Sequence, residues 1–187
     1  GPEISQEMER RGLKVSKVQG LRITDDDALK VAVEVLSKIN SHIVEALIDA
    51  GVKCRGLSAA QDMTVLCTKM PPVTVRDENG HIKEIDLGNV GEVCAVNPAL
   101  LESLFDSHAV PVVFPICCDL SGKQMNVNAD TVAAYIARAI GAEEMVLVTD
   151  VPGLMTDIND SRTIIHELSL RRVDELISAG MIKDGMI

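Results

Sequence analysis

The 187-residue sequence predicts an α/β protein, a three-layer α/β/α sandwich with a mainly parallel central sheet and one inserted β-hairpin meander. Three observations carry that prediction. Short runs rich in β-branched residues, such as VPVVFPICCDL and EMVLVTD, read as buried strands. Amphipathic runs at helical spacing, such as ADTVAAYIARAIGA, alternate with them. MTVLCTKM, VTVRD and HIKEIDLG instead alternate apolar with polar residues, as strands with one wet face do.

In chain order, the apolar spacing gives a helix near Ser5 to Gly12, then the loop LKVSKVQGLRIT. A longer helix follows from about Asp25, where Asp25, Asp26 and Asp27 face the positive end of the helix dipole, and Gly51 is its natural stop. VKCRGLS is a short strand. The DENG turn at Asp77 to Gly80 joins two strands of the meander. NPALLESLFDSHA is a helix opened by Asn97 as N-cap and Pro98 at N1. VPVVFPICCDL is then a single buried strand, ADTVAAYIARAIGA a helix ended by Gly141, EMVLVTD a buried strand and SLRRVDELISAGM a last helix.

Composition excludes several classes of function. A net charge of −10 and 2% aromatic residues do not make a nucleic-acid surface, which needs a basic stripe or stacking rings. No apolar run approaches the roughly 18 to 20 residues that span a bilayer, so the expected compartment is the cytoplasm. The five cysteines, Cys54, Cys67, Cys94, Cys117 and Cys118, are odd in number and lie in apolar segments without a zinc spacing. They read as buried free thiols.

Three segments carry candidate chemistry. Asn126, Asn128 and Asp130 crowd into NVNAD at a helix start, where one capping residue would suffice. A loop at the carboxyl end of a strand is where open α/β sheets bind ligands. Asparagine amides there can hydrogen-bond a bound molecule, and Asp130 can hold a lysine or a metal-bound water. Taken alone, the cluster is equally a cap, a first-turn acid and a turn. In TDVPGLM, Gly153 can bring backbone N–H groups close to an anion, although Asp-x-Pro-Gly is also an ordinary turn. In QGLRITD, Arg22 beside a glycine and a helix start can clamp a carboxylate, although a single loop arginine is more often a solvated charge. There is no GxxxxGK[ST] and no GxGxxG. His42, His81, His108 and His166 are scattered, without an i, i+4 pair or a nearby acid and nucleophile, and are assigned no catalytic or metal role.

The order of these words is more specific than any one of them. GPEIS, QGLRITD, NVGEVCAVNPALLESL, MNVNADTVAAYIARAIGA, LVTDVPGLM and AGMIKDGMI together resemble the acetylglutamate kinase branch of the amino acid kinase family, over nearly the whole chain. The resemblance implies an amino acid kinase-like fold and transfer of the γ-phosphoryl group of ATP, with Mg2+ held mainly by the nucleotide phosphates. The acceptor it implies is the side-chain carboxylate of N-acetyl-L-glutamate, in arginine biosynthesis.

By the family's pattern Gly1, Arg22 and Asn126 would bind the substrate and Asp130 would orient catalytic lysines. Asp150, Val151, Pro152, Gly153, Leu154 and Met155 would line the nucleotide pocket, joined by Met181, Ile182 and Lys183. Residues 1–141 would belong to the N-acetylglutamate-binding lobe, incomplete at its start, and 142–187 would begin the ATP-binding lobe. The catalytic lysines would lie before Gly1 and after Ile187. The chain is therefore expected to be the middle of a longer protein and inactive alone. A homodimer is implied, with arginine-inhibited hexamers formed by members carrying a further N-terminal helix.

One departure stands out. After GLS, Ala59-Ala60-Gln61-Asp62 replaces the family's Gly and charged residue, which bears on acyl-amino-acid specificity. Two rivals remain, a kinase for an aminoadipate derivative and a non-catalytic family member serving as a regulatory subunit.

Overall fold

The computed structural model describes residues 1–76, 81–149, 153–156 and 160–178, and within these not the side chains of Ser161 and Leu170. The chain forms two compact units, Gly1–Met145 and Val146–Ile187. The DENG turn lies outside the described residues.

The first unit opens with α1 (Pro2–Arg10), which starts earlier than the apolar spacing predicts because Pro2 fits the first turn, where its missing N–H costs nothing. The predicted loop that follows contains a hairpin, β1 (Lys17–Val18) paired antiparallel with β2 (Leu21–Arg22). Helix α2 (Asp26–Asp49) is N-capped by Asp25, whose carboxylate accepts from Ala28 N at 2.8 Å. It ends as predicted at Gly51 (φ 80°), where Val52 N reaches back to Leu47 O at 2.9 Å.

Strand β3 (Cys54–Ser58) leads to β4 (Val65–Lys69), and β5 (Val73–Arg76) pairs antiparallel with β6 (Ile82–Ile85) as the predicted hairpin. After β7 (Gly91–Val96) comes α3 (Ala99–Asp106), with Asn97 Oδ1 accepting from Ala99 N at 3.2 Å. The run VPVVFPICCDL is not one strand but two, β8 (Val110–Phe114) and β9 (Ile116–Cys118). Pro115 separates them, since it has no N–H for a ladder, and each joins a different sheet. β10 (Gln124–Asn126) returns antiparallel to β9, and α4 (Ala129–Ala139) ends at Gly141 (φ 64°).

Parallel pairing joins β3 to β8 and β4 to β9. Strands β7 and β10 flank the second pair antiparallel, in the order β10-β9-β4-β7. Successive residues of β3 define the layers, because side chains alternate across a sheet. Gly56 faces Asn40 and Val44 of α2, whereas Leu57 packs with Leu101 and Leu104 of α3 and with Ile136 of α4. The result is the α/β/α sandwich predicted. Helix α1 buries Ile4 and Met8 against Ala28, Val31 and Ala32 of α2. Val65, Cys67, Cys117, Met125 and Val132 form the core between the four-stranded sheet and α4.

The predicted strand EMVLVTD is absent. Residues 144–149 have no regular structure, and Val146 and Val148 are 78% and 97% exposed. An apolar run becomes a strand only when a neighbour takes up its backbone groups, and none of the ten strands described pairs with it. In the second unit, Met155 bridges Ile164 antiparallel across a single 3-10 turn (Ser161–Thr163), and α5 (Leu170–Ser178) is the predicted last helix. No described helix is long and apolar enough to cross a membrane.

Candidate functional site

Two left-handed residues, Gln19 (φ 48°) and Gly20 (φ 79°), turn the chain between β1 and β2, as a two-residue hairpin loop requires. The turn sets Arg22 opposite Lys17 and sends its side chain beneath α1. Arg22 is only 7% exposed. Its Nη2 donates to Gly1 O at 3.1 Å and to Ser5 Oγ at 2.9 Å, and Nη1 lies 3.4 Å from Met8 Sδ. Burial lowers its pKa from the usual value, yet a guanidinium remains a cation at neutral pH. Among the described residues no carboxylate pairs with it. Its acceptors are neutral, so the buried charge is left to favour an anion.

Arg22 and Asn126 are connected through residues 87–90. Thr24 N donates to Leu87 O at 2.8 Å, Asn89 N to Thr24 O at 2.6 Å, and Asn126 N to Asn89 O at 2.9 Å. Thr24 and Gly88, then Val90 and Asn126, form parallel bridges. Gly88 sits at φ +75°, and a Cβ there would collide with the Thr24 carbonyl, so only glycine lets the two segments approach. The QGLRITD and NVNAD segments are thus held together by a third that the resemblance touches only as NVGEV.

The structure separates the NVNAD trio by role. Asn128 caps α4, its Oδ1 accepting from Thr131 N at 2.9 Å and Thr131 Oγ1 at 3.2 Å, as expected. Asn126 is not on a strand-to-helix loop; it ends β10, because Asp119 turns the chain back after β9 through Ser121 N (2.8 Å) and Lys123 N (3.0 Å). Its side chain makes no hydrogen bond among the described residues. Asp130 stands exposed in the first turn of α4. A cavity of about 310 Å³ touches both segments, lined by Leu21, Val90, Gly91, Val127, Asn128 and Thr131, with Tyr135 at its side. Gly1, Arg22, Asn126 and Asp130 line neither this cavity nor the larger hollows of about 670 and 540 Å³ along α2.

Sequence reasoning overlooked Ser5, Asn89 and Tyr135. The first two are recognisable only from the contacts they make; Tyr135, the single tyrosine of the chain, stands two turns into a helix whose start was already under suspicion. The loop Ala59-Ala60-Gln61-Asp62 carries Ala59 fully buried and Asp62 and Met63 at φ 50° and 53°. Ala59, where the resemblance expects Gly, therefore adds its methyl group to the core, whereas Ala60, where it expects a charged residue, is only partly buried.

Of the predicted nucleotide residues, Asp150, Val151, Pro152, Met181, Ile182 and Lys183 lie outside the described residues. Gly153 is exposed at φ 136°, a conformation glycine alone tolerates. Leu154 O accepts from Ile165 N at 2.8 Å, and Met155 pairs with Ile164. Among the described residues no group of three or more His, Cys, Asp or Glu could hold a metal ion.

Within an α/β/α sandwich, Arg22 lies buried without a carboxylate partner among the described residues, in one backbone network with Asn126, and comparison identifies the family. The model of the amino acid kinase family matches residues 1–187, and the chain belongs to that family. It is 44% identical over 188 residues to the acetylglutamate kinase of Methanocaldococcus jannaschii and 39% identical over 189 residues to that of Methanothermobacter thermautotrophicus. All of this chain is covered, but only 62% and 64% of those relatives, so it spans a little under two thirds of their length. Among solved structures, smu.665 from Streptococcus mutans UA159 matches with a TM-score of 0.81 at 25% identity, over 100% of this chain and 70% of that one. N-acetylglutamate synthase from Neisseria gonorrhoeae, complexed with coenzyme A and N-acetyl-glutamate, shares the fold with a TM-score of 0.70 at 20% identity, over 94% of this chain and 37% of that one.

Proposed function

We propose that this chain is the acceptor-binding part, with the start of the nucleotide-binding part, of a kinase that phosphorylates the side-chain carboxylate of N-acetyl-L-glutamate with ATP. The observation that carries the reading is the buried Arg22 guanidinium, without a carboxylate partner among the described residues, held in one network with Asn126. The identity of 38–44% to acetylglutamate kinases supports the choice of acceptor.

Arg22 would bind the α-carboxylate and Asn126 would hydrogen-bond the bound acetylglutamate, with Gly1 beside them. Phosphoryl transfer needs in-line positioning and positive charge or N–H dipoles around the equatorial oxygens, not covalent work by the protein. The attacking carboxylate is already ionised at neutral pH, so no general base is required. Asp130, in the first turn of α4, would orient the lysines that neutralise the transferring group. Asp150 to Met155 and Met181 to Lys183 would hold the nucleotide, whose phosphates would carry Mg2+. The product would be N-acetyl-L-glutamyl 5-phosphate, an intermediate of cytoplasmic arginine biosynthesis, made by a homodimer.

The test is ATP-dependent hydroxamate formation from N-acetyl-L-glutamate by the complete gene product, with Asn126→Ala as control. Activity that disappears in the variant supports both reaction and site. Silence with acetylglutamate, glutamate and N-acetyl-aminoadipate alike would overturn the reading in favour of a non-catalytic subunit.

A further inference from the structure

Asn89 stands where three segments of the acceptor site meet, and it uses both its backbone and its side chain there. Its N–H donates to Thr24 O at 2.6 Å, two residues beyond Arg22. Its carbonyl accepts from the N–H of Asn126 at 2.9 Å. Its side-chain Nδ2 donates to Asp26 Oδ1 at 2.8 Å, in the first turn of α2. The residue is 7% exposed, so the amide has little water to fall back on. Gly88, immediately before it, is the residue whose missing Cβ permits the close approach to Thr24.

From this geometry we infer that Asn89, locked by Asp26, is a positioning residue that fixes the spacing between the Arg22 clamp and Asn126. The inference rests on the acceptor-site reading above. Backbone bonds tie the 87–90 segment to Thr24 on one side and to Met70 and Asn126 on the other, and neither set reaches the first turn of α2. The side-chain bond to a carboxylate fixes its third point of contact, and hydrogen bonds to ionised groups are stronger than neutral ones. A shift of about 1 Å in such a site can cost on the order of 100-fold in rate, so a residue that touches no ligand can still set affinity.

The experiment compares Asn89→Ala, Asp26→Ala, their double variant and Asp26→Asn in the complete gene product. KM for N-acetyl-L-glutamate is expected to rise about ten-fold in each alanine variant, with KM for ATP within about two-fold of the parent. The double variant is expected to resemble the singles, because the residues act as one unit. Asp26→Asn is expected to restore most of the affinity, since its amide oxygen still accepts from Asn89. A parallel measurement needs no activity: amide hydrogen exchange of peptides covering residues 21–26 and 124–128 is expected to quicken together in Asn89→Ala, with the β5–β6 hairpin unchanged. Equal rises in both KM values, or exchange unaltered in those two peptides, would overturn the inference. If the parent protein proves inactive on acetylglutamate, the functional reading fails on its own, and the exchange result still decides the positioning role.

Discussion

Arg22 Nη2 donates to Ser5 Oγ at 2.9 Å, so the guanidinium beneath α1 is oriented by a neutral hydroxyl and not discharged by an acid. Under the proposed function, that arrangement would keep the charge available to the acceptor carboxylate while the hydrogen bonds hold the side chain in place. Arg22→Ala is expected to raise KM for N-acetyl-L-glutamate by about 10- to 100-fold, the loss of one charge-assisted contact, and to alter KM for ATP far less. Ser5→Ala should give a smaller rise in the same direction. Steady-state kinetics with each substrate varied in turn decide it, and an unchanged acceptor KM in Arg22→Ala would remove the clamp role.

Asp130 makes a different prediction because it lies in the first turn of α4, next to the capping Asn128 but not capping itself. A residue that orients catalytic lysines acts in the transition state more than in substrate binding. Asp130→Ala should therefore lower kcat by about 100-fold or more with modest changes in either KM. A normal kcat in the complete protein would end that assignment.

The parts of the fold that were legible in the sequence are those in which local chemistry decides the structure. Asp25 and Gly51 delimit α2, Asn128 and Gly141 delimit α4, and the alternating pattern of VTVRD and HIKEIDLG yields the β5–β6 hairpin. Failures came where a partner decides. Gln19-Gly20 makes a hairpin of residues too few to show a period. VPVVFPICCDL looks continuous in hydropathy, yet Pro115 divides it between two sheets. MVLV has the composition of a buried strand and lies exposed without one. At the candidate site, Arg22, Asn126 and Asp130 could be proposed from residue type and order, whereas Asn89 could not. Its importance lies in three bonds to segments 37 to 65 positions away, and no pattern in the sequence marks those.

Glu7 offers a pH prediction. Hydrogen bonds from Arg10 and Arg11 at 2.7 Å lower its pKa to about 2 from an ordinary value of 4.5. A carboxyl depressed on folding contributes stability that is complete above the unfolded value and is lost as pH falls through the folded one. The Glu7 contribution should therefore fade between about pH 4.5 and pH 2. Glu7→Gln is expected to lower Tm by a small constant amount near neutrality, since exposed pairs contribute modestly, and to show a correspondingly shallower fall across that interval, so that the two proteins converge near pH 2. Parallel Tm profiles for the two proteins over that range would show that the arginines do not stabilise the fold through Glu7.

The cysteines divide by burial more sharply than the uniform buried set expected from their apolar surroundings. Cys67, Cys117 and Cys118 are buried, Cys54 is half-buried and Cys94 is exposed on the wet face of β7. Cys117 is held protonated by its hydrogen bond with Cys67 and by burial, both of which push its thiol up. Thiol reactivity follows thiolate character and access. Native labelling should modify Cys94 rapidly, Cys54 slowly, and the other three only on unfolding. Peptide mapping after a short exposure to a maleimide tests this, and rapid labelling of Cys117 would show that the core opens readily.

Gly56 and Asn40 give the most direct test of the packing between α2 and the sheet. Asn40 is a polar residue buried mid-helix, and its Nδ2 donates to Val112 O at 2.7 Å, the carbonyl of the ladder partner of Gly56. A methyl group on Gly56 would run into Asn40 Oδ1 and meet Val44 Cγ2 at 3.1 Å. Gly56→Ala should therefore cost about 1–3 kcal/mol through overpacking. Asn40→Ala should cost a similar 1–3 kcal/mol or so, since the Val112 carbonyl loses its partner. The two changes share one contact, so the double variant should be less destabilised than the sum of the singles by about 1 kcal/mol, because truncating Asn40 clears space for the new methyl. Denaturant unfolding of the four proteins measures that coupling. Strict additivity would mean that the cost of the new methyl comes from its contact with Val44 and not from Asn40.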